Sequence, residues 1–260
     1  MVVRDLGEHG TVEFVDGPRR AYHLVTADGK RKRLASVTTV LGCLEKRALY
    51  NWHEAQGAEG VIRAIRSKDL DPHDCVPQEA IEVVRALGLG AAAAKQKAAD
   101  RGLDVHGALE AYCETGELPN IADMAPDARP YLSGLAKWLL KYDPTPIHTE
   151  RIVCHPELAY AGRFDLLAEI GGLTMLCDLK TSRTGQPWPE AHLQLRGYAD
   201  AEVAVGEDEP GQLIAVGVSP DGLFCHEPCV AAADSFAKVL AVYRLRSQLD
   251  RDVRAARKAA

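Results

Sequence analysis

The stretch GRFDLLAEIGGLTMLCDLKT, residues 162–181, constrains the fold more than any other part of the chain. Strand-like runs flank Gly171-Gly172, and a two-glycine loop between such runs specifies a β-hairpin. Counting outward sets the register. Ile170 opposite Leu173, Ala168 opposite Met175, Leu166 opposite Cys177 and Phe164 opposite Leu179 form one apolar face. The other face pairs Glu169 with Thr174, Leu167 with Leu176, and Asp165 with Asp178. A slip of one residue would mismatch the faces, so the pattern fixes the pairing. Lys180 follows on the same face as Asp178, because strand side chains alternate with a period of two.

That register has chemical consequences. Opposed residues of an antiparallel pair have Cα atoms about 4.5–5.5 Å apart, and like charges there are destabilising. Two aspartates so placed are tolerated if a cation sits between them or one takes up a proton. The spacing fits equally well an ion-pair network with Arg163 or Lys180 on a solvated strand face. If a cation is present, oxygen donors with few histidines nearby favour Mg²⁺ or Mn²⁺ over zinc. A lysine beside such an ion can orient water and stabilise charge developing on phosphorus.

Around the hairpin the periodicity changes along the chain. Asp16-Gly17 and Asp28-Gly29 punctuate short alternating runs, which predicts a small antiparallel β meander. SVTTVLGCLEKRALYNW predicts a helix reaching Trp52, with Ser36, Thr38 and Thr39 as alternative N-caps. Residues 53–90 read as weakly punctuated helix. AAAAKQKAADRGLDVHGALEAYC is helical, with Gly102 a point of interruption, and DARPYLSGLAKWLLKY is a helix stopped at Asp143-Pro144. Three strands follow within 148–180. PEAHLQLRGYADAEVAV is a helix with Pro189 in its first turn, two strands flank a Pro-Asp-Gly turn, and a closing helix ends the chain. With no repeat and no linker, residues 1–260 read as a single domain: meander and helices over 1–90, and the core over 91–260. The predicted fold class is α/β (α+β), a mixed β-sheet flanked by helices, with a helical N-terminal half.

Composition excludes some functions. The formal charge of −6, from 31 basic and 37 acidic residues, argues against a generic nucleic-acid coat protein. It still allows an enzyme whose acidic metal ligands offset local basic clusters such as Lys30-Arg31-Lys32-Arg33. No apolar run is long enough to cross a bilayer. MVVRDLGEHG carries charges where a signal peptide needs an apolar stretch, and seven cysteines form no compact framework. Both predict a cytoplasmic protein.

GRFD followed by DLK resembles the PD-(D/E)XK nuclease pattern, an acid preceding a D/E-x-K triplet on a hairpin. QLRGY matches the Gln-x-x-x-Tyr element of the RecB-like and phage exonuclease branch, and RGLDVHGALE resembles that branch's helix with a metal-binding histidine. His106, Asp165, Asp178, Lys180, Gln194 and Tyr198 stand in the family's order over residues 100–200. The resemblance implies a restriction-endonuclease-like sheet. It implies a metal-dependent DNA exonuclease of the bacterial cytosol, phage-encoded or cellular, serving recombination or repair. Its alternatives are an inactive DNA-end-binding recombination partner and a structure-specific endonuclease. Asp165 and Asp178 would bind Mg²⁺ or Mn²⁺ with His106 and the Leu179 carbonyl, and Lys180 would position or activate water. Gln194 and Tyr198 would contact substrate or brace the lysine, or else simply pack. Glu150 would be an additional acid near the metal, while Arg163 and Thr181 would touch phosphate. Glu110 either orients His106 or is solvated, and Trp188 either stacks on a base or packs as a loop residue. The implied partners are linear DNA, single- or double-stranded, and a single-strand annealing or recombination protein, with homo-oligomers known among relatives. An iron–sulfur cluster, found in some relatives, is disfavoured. It needs four ligands, and only Cys225 and Cys229 lie near the C-terminus. Cys113, Cys154 and Cys177 read as small core residues.

Overall fold

The structure is a computed structural model that describes residues 1–17, 20–45 and 47–259, the side chains of residues 47 and 48 excepted. It divides into two compact units. One comprises Met1–Leu44 and Val105–Ala260, the other Glu45–Asp104.

The larger unit is built on a nine-stranded mixed sheet flanked by helices, the predicted architecture. Strands β1 (Val2–Asp5), β2 (Thr11–Val15), β3 (Ala21–Val25) and β4 (Arg31–Ser36) form the N-terminal meander. The two Asp-Gly signals fall at its β2–β3 and β3–β4 turns. The first strand was not legible, because VVRD is too short to alternate. Ser36 caps α1 (Val37–Leu41), its hydroxyl accepting from the Thr39 N–H at 3.0 Å. The helix expected to reach Trp52 is therefore divided. It stops before Gly42, Lys46 lies outside the described residues, and α2 covers Arg47–Arg66. Helix α3 (Pro77–Ala86) follows; with α2 it packs Ala64, Leu70, Ala80 and Val84 into the small core of the second unit. Helix α4 (Ala91–Thr115) runs unbroken through Gly102. Helix α5 (Arg129–Tyr142) ends where Asp143 turns left-handed at φ 42°.

Three long strands then carry the sheet: β5 (Thr145–His155), β6 (Tyr160–Ile170) and β7 (Leu173–Thr181). Helix α6 (Pro189–Val203), β8 (Gln212–Val218), β9 (Phe224–Pro228) and α7 (Ser235–Ala259) complete the chain. One apolar layer joins α4 and α5 to Leu166, Ala168, Ile170, Met175, Cys177 and Leu179. A second joins α1, α6 and α7 to Tyr160, Phe164, Leu176 and Ala215.

The β6–β7 hairpin keeps the predicted register for five pairs, from Ile170–Leu173 to Leu166–Cys177, and the ladder stops there. Strand β5 occupies one edge of β6 from Tyr160 to Glu169. The other edge is shared, with β7 along 166–170 and β4, in parallel, only at Tyr160 and Ala161. Between them β6 has no ladder partner on that edge from Gly162 to Asp165, and the sheet forks. Tyr198 from α6 packs into the fork, so close that a Cβ built on Gly162 would lie 2.5 Å from its ring.

The fork changes the alternation. Phe164 belongs to the α6–α7 layer while Leu166 and Leu179 belong to the α4–α5 layer, so Phe164 does not extend the apolar face as predicted. The phase slips at Asp165. Opposite it, Glu150 lies between the paired residues Thr149–Leu166 and Arg151–Phe164 and takes a left-handed φ of 48°.

At the far edge, Trp138 Nε1 donates to His226 Nδ1 at 3.1 Å, and the imidazole stacks on Tyr142 at 3.9 Å. Burial, aided by Lys141, lowers the His226 pKa. The stability this contributes is present in full above the unfolded value of about 6.5 and is lost as pH falls toward the lower folded value. A melting series from pH 8 to 5 should show a smaller acid loss in His226→Phe than in the parent. Parallel curves would remove His226 from the acid transition.

Candidate metal and catalytic site

The site grows out of the fork. With the ladder ended, the Leu179 N–H donates not to a β6 carbonyl but to Asp165 Oδ2, at 2.6 Å. The other oxygen, Oδ1, lies 3.1 Å from His106 Nδ1. Helix α4 aims His106 there by burying its neighbours Val105, Ala108 and Leu109 in the α4–α5 layer. Glu150 completes the group. Ligand atoms of His106, Glu150 and Asp165 all lie within 4.8 Å of one another, the one such His/Cys/Asp/Glu group among the described residues. Counting outward from the His155–Tyr160 connection, as for the other hairpin, would have placed Glu150 across from Asp165.

Asp178 and Lys180 stand beside this group as a pair. Asp178 is 1% exposed, and its Oδ2 lies 2.5 Å from Lys180 Nζ. Both of its oxygens are buried without a hydrogen bond, Oδ2 having the Lys180 ion pair and Oδ1 no such contact. The two aspartates therefore do not meet as a laddered pair on one solvated face. Each is buried, and each has its own cation or donor. Burial, together with Asp165, pushes the Asp178 carboxyl up to about 6 against the pull of Lys180. Burial acts the same way on Asp165, but His106, Lys180 and the Leu179 N–H outweigh it and hold that carboxyl below its ordinary value. Burial would lower the Lys180 pKa; Asp178 and Asp165 overcome it, so the ammonium is retained. The His106 pKa is raised, with Asp165 overriding burial. Glu150 is raised by burial and by Asp165.

The remaining predicted residues are spread around this centre. Gln194 Nε2 donates to Tyr198 Oη at 2.6 Å, and the tyrosine is buried in the α6 layer. Arg163 places Nε 2.8 Å from Glu150 Oε2 and its guanidinium 5.5 Å from the Phe14 ring. Thr181 ends β7, paired with Val218. Glu110 is exposed, and so is Trp188, at 58%. Cys154 and Cys177 are buried, and Cys113 packs against the α4–α5 layer. Cys225 Sγ lies 3.8 Å from Glu227 Oε2, and Cys229 Sγ lies 3.3 Å from the His192 carbonyl.

The group of His106, Glu150 and Asp165 offers carboxylate oxygens and one imidazole, a set that fits a hard divalent ion, and Asp178 lies outside it. Nothing in it favours a soft metal.

No family model matches the chain, and no curated protein matches it. Among solved structures it is similar to one titled SSO0001, at 22% identity and TM-score 0.32 over 48% of this chain. That match spans 62% of the other chain, less than two thirds of its length. A second is the alkaline exonuclease LHK-Exo from Laribacter hongkongensis, at 15% identity and TM-score 0.32, over 49% of this chain and 70% of that one. Likeness this slight leaves function to be argued from the side chains.

The buried pair makes a stability prediction. Lys180→Met strands the Asp178 carboxylate and should cost about 1–3 kcal/mol in urea unfolding at pH 8. Adding Asp178→Asn should recover most of that. A Lys180→Met protein as stable as the parent would mean that the pair is not coupled.

Proposed function

We propose that this chain is a divalent-metal-dependent deoxyribonuclease of the PD-(D/E)XK, RecB-like and phage exonuclease kind. In this reading residues 1–260 act as one nuclease domain on linear DNA, in phage or bacterial recombination or repair. One observation carries it: three side chains able to ligate a metal converge near the Asp178–Lys180 pair. Structural ion pairs rarely bury a carboxylate that keeps an oxygen unbonded, and a metal site gives that oxygen a use.

In this reading His106, Glu150, Asp165 and Asp178 hold Mg²⁺ or Mn²⁺ with the Leu179 carbonyl. Once bound, the ion supplies Lewis-acid polarisation of the phosphate and a lowered water pKa. The chain's own groups do the rest. Lys180, an ammonium among carboxylates, donates to the attacking water or to a phosphate oxygen and stabilises the charge that builds there. Asp178 holds that ammonium in place. Tyr198, hydrogen-bonded by Gln194, fills the fork and braces β6 near Asp165, and Thr181 lies next along β7 toward the phosphate. Water adds to phosphorus, the bond to the 3′ oxygen breaks, and the products are a 5′-phosphate and a 3′-hydroxyl. Contacts to the DNA backbone dominate binding, which should weaken steeply with salt.

The Asp178–Lys180 contact also suits a second reading, an inactive DNA-end-binding recombination partner in which the pair is purely structural. End-labelled linear DNA with Mg²⁺ or Mn²⁺ separates the two, since binding without cleavage favours the second. Under the first, Asp178→Ala and Lys180→Ala lower cleavage by about 10²–10⁴-fold with the fold intact, and His106→Ala weakens metal affinity. Wild-type rates in either of the first two would remove the assignment. Circular single-stranded DNA left uncut marks an exonuclease; cutting marks the endonuclease alternative.

A further inference from the structure

Helix α7 carries two apolar stripes, and the protein covers one of them. At the helical repeat of about 3.6 residues per turn, Phe236, Val239, Leu240 and Tyr243 share one face, and all four pack into the α6–α7 layer. Past Tyr243 no residue of the helix is buried, yet it continues to Ala259. Val242, Leu245, Leu249 and Val253 recur along that extension as a second stripe, about a third of a turn round from the first. They are 54, 63, 55 and 47% exposed. Single apolar residues at a surface are ordinary. Four in line on an otherwise polar helix form a face for a partner.

The same extension is strongly basic. From Arg244 onward it holds six arginines and lysines against Asp250 and Asp252, a net +4 on a chain whose total is −6. None of the six has a salt bridge among the described residues. Asp252 is already engaged, accepting from Gln248 Nε2 at 2.7 Å. Arg246 and Arg257 border the second stripe, whereas Arg251 and Lys258 lie round the far side of the helix.

Stripe and charge together select the occupant. A second copy meeting this one stripe to stripe would set +4 against +4 along one seam. Nucleic acid answers the charge but leaves the leucines in water. An anionic membrane answers both, yet it repels the rest of the chain, which carries −10 once the +4 is taken from the total of −6. We propose that α7 from Val242 to Arg257 is a docking face for an acidic amphipathic helix of a partner protein. The partner's apolar side chains cover Leu245 and Leu249, and its carboxylates meet Arg246 and Arg257. The face lies outside the fork and does not depend on the nuclease reading.

Fluorescence anisotropy of a labelled synthetic helix of leucine and glutamate in amphipathic order, titrated with the full chain, tests this. The parent should bind it. Affinity should fall by about tenfold or more for Leu245→Gln/Leu249→Gln, for Arg246→Gln/Arg257→Gln, and for a scrambled peptide of the same composition. Arg251→Gln/Lys258→Gln removes as much charge from the far side and should stay within about twofold of the parent in physiological salt. All these residues are exposed and glutamine is a good helix former, so the melting curves should coincide. No binding by the parent, equal binding of the scrambled peptide, equal losses from the two charge variants, or unchanged affinity in the leucine variant would overturn the proposal. So would sedimentation showing a parent dimer that the leucine variant splits, or DNA or anionic vesicles held through the same leucines.

Discussion

Strand β6 has two edges, and three neighbours compete for them. Strand β5 takes one edge along nearly its whole length, while β7 and β4 divide the other and leave residues 162–165 unladdered. A buried N–H that loses its ladder partner costs free energy until something else accepts from it. At Leu179 the acceptor is the Asp165 carboxylate. That single bond ties the strand geometry to the chemistry, because it fixes an acid at the mouth of the fork and turns its other oxygen toward His106.

The rest of the centre follows from keeping carboxylates charged where they are wholly or partly buried. Isolated buried anions are expensive, and pairing or metal binding is the usual remedy. Each acid here has a different remedy. Asp178 has an ammonium two residues along its own strand, Glu150 has a guanidinium supplied from β6, and Asp165 has an imidazole and an amide. The meander contributes through Phe14, beneath Arg163, and α6 contributes Tyr198 as the wedge that holds the fork open. The N-terminal strands thus support the site from behind.

Much of this was legible in the sequence, and what was not has identifiable causes. Gly171-Gly172 and the flanking alternation specified five cross-strand pairs, and Pro189, the Asp-Gly turns and Asp143-Pro144 marked element ends. The count failed at Asp165 because period-two reading assumes that a neighbouring strand stays alongside, and no local pattern announces its departure. The left-handed Glu150 was hidden for the same reason. A glutamate is an uncommon occupant of that conformation, and here it carries the Arg163 ion pair between two laddered neighbours. The division between α1 and α2 was not read because a lone glycine such as Gly42 is tolerated inside a helical pattern. Asp165, Asp178 and Lys180 were picked out by the hairpin count, and His106 by the order of residues along the chain. The partner of Arg163 could not be, since its ring comes from β2, far away in sequence.

A Mn²⁺-soaked crystal measured at the manganese absorption edge tests the central claim most directly. The account predicts one anomalous peak in the fork, within bonding distance of His106 and Asp165 and bordered by Glu150 and Asp178. A clean fork at saturating Mn²⁺, or a peak elsewhere on the chain, would contradict it.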